Sequence, residues 1–256
     1  MTGRAGGPPA AVLARDVSVT YGTRVALRSV SFAAGWSELI AVIGPNGAGK
    51  STLFKALCGL VPADGELAVG GDGCHHQRST RAKVAFLPQR ADVDLHFPIT
   101  VEQLVLTGRR PHLPPWRRPR HIDRQAVAGA LERVGLTDRG RDPIGTLSGG
   151  QAQRAFVARA LTQEAGVLLL DEPMAGLDLP STTDLIHLLR SLADDGRTVL
   201  VATHDLALTR HHFARCLAIN GRLVADGSPD QVLDADTLDA TFGSGTDLAD
   251  LTVAAV

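Results

Sequence analysis

Nine consecutive residues, Gly44-Pro45-Asn46-Gly47-Ala48-Gly49-Lys50-Ser51-Thr52, fit the pattern G-x-x-x-x-G-K-[ST]. In that pattern successive backbone N–H groups wrap the phosphates of a nucleotide. Gly47 and Gly49 let the backbone approach where a Cβ would clash. Lys50 is placed to reach the β- and γ-phosphates as a point charge, and the Ser51 hydroxyl takes a Mg²⁺ position. A helix opening at Ser51 adds its N-terminal dipole to the anion site. Far along the chain, the apolar run Val167-Leu168-Leu169-Leu170 ends in two carboxylates, Asp171 and Glu172. Beside a phosphate loop these acids divide the work: Asp171 holds Mg²⁺, directly or through water, and Glu172 orients and deprotonates the attacking water. Read singly, the loop is a Gly-rich turn with an incidental lysine and the acids are a solvated strand end. Together they describe nucleotide hydrolysis.

Such chemistry needs strands that end at one edge and a helix that starts there. Residues 12–20 alternate apolar and polar and predict a strand, as residues 25–32 do more weakly. Residues 38–43 form a short apolar strand feeding straight into the glycine loop, and 51–60 then take helical spacing through Leu53, Phe54, Leu57 and Leu60. Strand, loop and helix are the context the motif requires. Residues 65–69 and 83–87 predict further strands with a polar loop between them. From Thr100 the pattern turns helical (Val101, Leu104, Val105, then Val127, Leu131, Val134 and Leu136) and continues through 153–161. Between lies 111–120, with four prolines and three arginines, an irregular connection. Buried parallel strands return at 167–171 and 198–202, with a helix over 182–194 between them. Residues 216–220 and 222–224 predict a hairpin about Asn220-Gly221, and 231–242 a last amphipathic helix. The expected fold class is α/β: a P-loop ATPase core of mostly parallel sheet, an antiparallel β subdomain near the N-terminus, and a helical insertion over about 90–165. The expected organisation is a flexible 1–11, a single catalytic domain over 12–243 and a loose tail over 244–256.

One further run narrows the class. Leu147-Ser148-Gly149-Gly150-Gln151 stands just upstream of the acidic strand, and it is the signature of the ATP-binding cassette family, which this sequence resembles along nearly its whole length. The resemblance implies an ATPase that uses ATP and Mg²⁺ and works as a homodimer. Two subunits pack head to tail, so that the Ser148 hydroxyl and the Gly149 and Gly150 amides close over the γ-phosphate held by the partner copy's loop. A small side chain and two glycines at a helix N-terminus present N–H groups to an anion without bulk. Ala152 departs from the arginine often found after the signature, on what is expected to be a solvent face. The resemblance also gives His204 as a switch histidine contacting the γ-phosphate. It gives Gln89 as the glutamine that touches Mg²⁺ or water and opens the helical insertion. Tyr21, the chain's only tyrosine, becomes the aromatic that stacks on adenine. Asp178, in Gly176-Leu177-Asp178, becomes the residue of a loop that crosses the dimer interface.

Composition bounds the setting. At 256 residues and 44% hydrophobic content the chain buries a sizeable core as one domain, or one domain with a lobe. A net charge of −1 gives no broad nucleic-acid-binding surface, and no nucleic-acid partner is expected. Cys58, Cys74 and Cys216 sit far apart without metal-ligand spacing, which reads as a reduced, cytosolic compartment. No apolar run approaches the roughly 18–20 residues that span a bilayer. If the protein works on a membrane, the membrane part is therefore a separate chain. Cys74-His75-His76 lacks a second cluster to complete four ligands and reads as a solvated loop. His211-His212 falls on the polar face of a helix, and the arginine-rich 109–120 reads as a subunit-contacting loop.

The segment after Gln89 bears on which machine is driven, because in the resembled family it receives a short helix from the membrane subunit. Here it runs Val93-Asp94-Leu95-His96-Phe97-Pro98-Ile99-Thr100-Val101 and then Gly108-Arg109. That stretch resembles bacterial zinc and manganese importers, whereas Arg109-Arg110-Pro111-His112 resembles importers of iron-siderophores, haem and cobalamin. The resemblance then implies a peripheral protein on the cytoplasmic face of the cell membrane, bound to an integral membrane permease and served indirectly by an extracytoplasmic substrate-binding protein. A soluble cassette ATPase usually carries two cassettes or a long coiled coil, and neither is present. A P-loop kinase would not need the Ser148–Gln151 signature.

Overall fold

The described elements run β1 (Val12–Tyr21), β2 (Arg24–Ala34), β3 (Leu39–Ile43), α1 (Lys50–Leu57), β4 (Asp64–Val69), β5 (Val84–Leu87), α2 (Val101–Leu106), α3 (His121–Arg133), α4 (Gly149–Thr162), β6 (Val167–Asp171), α5 (Leu179–Asp194), β7 (Thr198–Thr203), α6 (Leu206–His212), β8 (Arg215–Ile219), β9 (Leu223–Gly227), α7 (Pro229–Val232) and α8 (Ala235–Phe242). The computed structural model describes residues 10–71, 83–89, 98–113 and 117–243. Strands β2-β1-β4 make an antiparallel sheet, and β5-β6-β7-β3-β8-β9 a second sheet that is parallel except for the antiparallel pair β8–β9. The fold is thus the expected mostly parallel α/β core with an antiparallel sheet and a helical insertion.

The unbroken apolar strands follow from burial on both faces. Ala41, Ile43, Leu168, Leu170, Val199 and Val201 face the layer that holds α4 and α5. Their neighbours Ile40, Val42, Val167, Leu169, Leu200 and Ala202 face α1 and the antiparallel sheet. This period of two places one residue in each layer, so no position in these strands is free to be polar until the strand ends. Four parallel strands then deliver their next residues to a single edge. Gly44 follows β3, Gln89 follows β5, Asp171 and Glu172 close β6, and His204 follows β7. The carboxyl edge of a parallel sheet is where open α/β folds bind ligands. At the opposite edge Arg215 ties the sheets together. Its guanidinium donates to both carboxylate oxygens of Asp226 at 2.8 Å, to Glu38 at 2.8 Å and to the Ala33 carbonyl at 2.8 Å.

Helices α2, α3 and α4 form the insertion, and an arginine holds them. Arg109 lies in a 3₁₀ turn over Thr107–His112 and is buried. It donates to Asp123 of α3 at 3.0 Å, to the Thr162 carbonyl at the end of α4 at 3.0 Å, and to Glu164 at 2.5 Å. Within the run 109–120, expected to be a subunit-contacting loop, Arg109 spends its charge inside the insertion. We predict that Arg109→Ala, by leaving Asp123 buried without its partner, lowers stability by about 3–5 kcal/mol. Urea melts check this, and Arg109→Lys should not restore the loss because an ammonium lacks the planar fork that meets several acceptors.

The structure differs at the C-terminal end. The amphipathic stretch 231–242 is two helices, α7 and α8, because Asp234 accepts from Thr237 N at 3.0 Å and starts a new helix there. The β8–β9 hairpin is present as expected. Residues 74–76, 93–97, Trp116, most of 1–11 and the tail 244–256 lie outside the described residues. Among the described residues no helix is long and apolar enough to cross a membrane.

Candidate nucleotide site

A cleft of about 440 Å³ opens over the glycine loop, lined by Tyr21, Arg24, Ala26, residues 45–52, Gln89 and Glu172. The loop's shape depends on its glycines. Gly49 has φ +101°, and a Cβ there would fall 2.5 Å from Leu27 Cδ2 and 3.0 Å from the Ala26 carbonyl. Only a bare backbone lets the loop pass under β2 into α1. The loop is pinned from behind, where Gly221 N donates to the Ala48 carbonyl at 2.8 Å. Lys50, the first residue of α1, is 5% exposed, and its Nζ donates to the carbonyls of Gly44 at 2.6 Å and Pro45 at 3.1 Å. Burial pulls its pKa below the usual lysine value, while the charges of Glu172 and Asp171 oppose that shift. A cation fixed over a turn of bare N–H groups is a site for a polyphosphate.

The two acids stand differently although adjacent. Asp171 ends β6 almost fully buried, and burial raises its pKa against the pull of a hydrogen bond from the Ser51 side chain. Glu172 turns out of the strand with φ +48°, a left-handed conformation that costs about 1–3 kcal/mol for a residue with a Cβ. The turn is held by Glu172 N donating to the Ala202 carbonyl at 3.0 Å. It aims the carboxylate into the cleft instead of along the strand. There Gln89 Nε2 donates to Glu172 Oε2 at 3.2 Å, and His204 Nδ1 lies 3.5 Å from Glu172 Oε1. Residues from three strand ends thus meet on one carboxylate. The donor set around Ser51, Asp171 and Gln89 is all oxygen and amide, which suits Mg²⁺ completed by phosphate oxygens and water.

Ser148, Gly149, Gly150, Gln151 and Asp178 do not line this cleft. They sit at two neighbouring helix starts. Ser148 caps α4, its hydroxyl accepting from Gln151 N at 3.3 Å while Gln151 Oε1 accepts from Ser148 N at 3.0 Å. Asp178 caps α5 by accepting from Ser181 N at 2.8 Å, and a hydrogen bond from the Ser181 side chain, together with this backbone bond, draws its pKa below the usual carboxylate value. The two starts are in contact: a Cβ on Gly150 would meet Ser181 Oγ at 2.6 Å and Ser181 Cβ at 2.8 Å. We predict that Gly150→Ala overpacks this contact by about 1–3 kcal/mol and lowers the melting temperature. Adding Ser181→Gly should recover most of the loss.

Two cleft residues escaped the reading of the sequence, Arg24 and Ala26. The signal was available in strand geometry. Tyr21 and Arg24 pair across the turn Gly22-Thr23, and residues two apart on β2 share a face, so a tyrosine on the cleft brings Arg24 and Ala26 with it.

Comparison with known proteins agrees with this geometry. A family profile described as ABC transporter matches residues 27–175. The manganese transport system ATP-binding protein MntB of Halalkalibacterium halodurans is 39% identical over 227 residues, covering 89% of this chain and 90% of the relative. MntA of Synechocystis, also named a manganese transport system ATP-binding protein, is 40% identical over 229 residues, covering 89% and 88%. A solved structure of a metal-chelate type ABC transporter in an inward-facing conformation superposes with a TM-score of 0.80 at 28% identity, over 91% of this chain and 88% of that one. With signature, phosphate loop and paired acids in one fold, the chain belongs to the ABC transporter family, as one of its ATPase subunits.

Proposed function

We propose that this chain powers a bacterial metal-ion importer, for manganese or zinc, from the cytoplasmic face of the membrane. The observation that carries the substrate class is the similarity, over nearly nine-tenths of the chain, to ATP-binding proteins named for manganese transport. The partners are a second copy of the chain, an integral membrane permease and, through the permease, an extracytoplasmic binding protein. Copurification from native membranes tests this. A polytopic metal permease should accompany the chain, and its deletion should make growth depend on added manganese or zinc. Recovery with no membrane protein would contradict the proposal. A metal-chelate permease would favour a second reading, that of a siderophore, haem or cobalamin importer, which the metal-chelate transporter structure supports.

In the proposed site Tyr21 stacks on adenine, the 44–52 loop wraps the phosphates, and Lys50 meets the β- and γ-phosphates. Ser51, Asp171 and Gln89 would hold Mg²⁺, which would supply charge neutralisation for the phosphates. Glu172 accepts the proton of the attacking water, with Gln89 and His204 fixing its orientation. Ser148, Gly149, Gly150 and Gln151 close over the γ-phosphate of the other copy, and Asp178 couples the copies. Their position outside their own cleft supports a site completed by a second subunit.

A further inference from the structure

We infer that Arg24 is a second cationic contact for the bound nucleotide, gripping the phosphates on the side nearest the base. This rests on the reading of the cleft as the ATP site. Arg24 is the first residue of β2 and pairs directly with Tyr21 across the two-residue turn, so the aromatic and the guanidinium enter the cleft together. Its Nη2 stands 3.9 Å from the point a Cβ on Gly47 would occupy, so the guanidinium edge lies in contact range of the loop's open side. Lys50 lies beneath the same loop, buried, with its Nζ committed to the Gly44 and Pro45 carbonyls. Arg24 is exposed, and its guanidinium makes no hydrogen bond or ion pair with any described residue. Two cations therefore bracket one turn of backbone N–H groups, one from within and one from the rim. The rim cation carries a fork of donors matched to phosphate oxygens.

Placement sets the consequence. Arg24 pairs with the residue that takes the base and reaches the loop at Gly47, while the side chains that meet Glu172 are Gln89 and His204, so we assign Arg24 to holding the nucleotide and not to the hydrolytic step. A contact made equally in the ground and transition states lowers KM without raising kcat. The test is titration of MgATP and MgADP into wild-type protein, Arg24→Ala, Arg24→Lys and Lys50→Ala, with melting curves for each. Arg24→Ala should weaken both nucleotides by about tenfold, the scale of one charge-assisted contact at an exposed rim. It should raise the KM for ATP with kcat within about twofold, and leave the apo melting temperature unchanged, while Arg24→Lys keeps part of the affinity. Raising the salt should weaken wild type more than Arg24→Ala, because the lost contact is ionic and screened. Unchanged affinity in Arg24→Ala alongside a large loss in Lys50→Ala would overturn the inference and leave the site standing. Unchanged affinity in both would overturn the reading of the cleft itself. A fall in kcat at constant KM would also overturn the role given to Arg24.

Discussion

Glu172→Gln stops turnover and leaves MgATP bound: hydrolysis falls by at least about 10²-fold, the typical range for loss of a general base. The amide has the shape of the carboxylate, so it can still accept the bond from Gln89 that Glu172 Oε2 now accepts at 3.2 Å. The backbone turn held by Ala202 does not depend on the side chain's charge either. What disappears is basicity toward water. One negative charge next to Asp171 and the phosphate site also disappears, which removes a like-charge repulsion against the incoming nucleotide. The variant should therefore bind MgATP at least as tightly as wild type and collect as a dimer with nucleotide trapped inside. Light scattering or sedimentation with saturating MgATP checks this, and a monomer under those conditions contradicts a site shared between copies.

Lys50→Ala acts at the opposite step. Removing a buried ammonium under the phosphate loop takes away charge-assisted hydrogen bonds worth about 1.5–3 kcal/mol each, so nucleotide affinity drops by at least about tenfold. Turnover should fall by on the order of 10²-fold or more, since the same charge faces the oxygens that develop charge during transfer. The Gly44 and Pro45 carbonyls also lose their donor, so the loop is left less fixed as well as less positive. Isothermal titration with MgATP reads the first effect and phosphate release the second. Unchanged affinity would mean that the loop binds something else.

The site was legible in the sequence where the chemistry needs neighbours in the chain. A phosphate loop must be a contiguous run of small residues before a lysine, and the paired acids must follow a strand that is apolar on both faces, so residues 44–52 and 167–172 declare themselves. What stayed hidden depends on residues brought together from afar. Gln89 and Glu172 meet across 83 positions of sequence, and resemblance alone suggested that they belong together. Arg109 read as one more arginine in a basic, proline-rich stretch, because nothing local reveals that Asp123, Glu164 and the end of α4 converge on it. The contact of Gly150 with Ser181 is of the same kind. The division of 231–242 into two helices was local, and Asp234 three residues before Thr237 carried it, but apolar spacing continues across the break and masks the cap.

Mixing two inactive variants tests the shared site most directly. Lys50→Ala disables the loop of one copy, and Ser148→Arg disables the signature of the other while leaving its own loop intact. In a mixed dimer the intact Lys50 of one subunit faces the intact Ser148 of its partner. Phosphate release from the mixture should recover well above that of either variant alone and should rise with protein concentration. No recovery at any ratio or concentration would show that each copy hydrolyses ATP by itself or not at all, and would contradict the two-subunit mechanism.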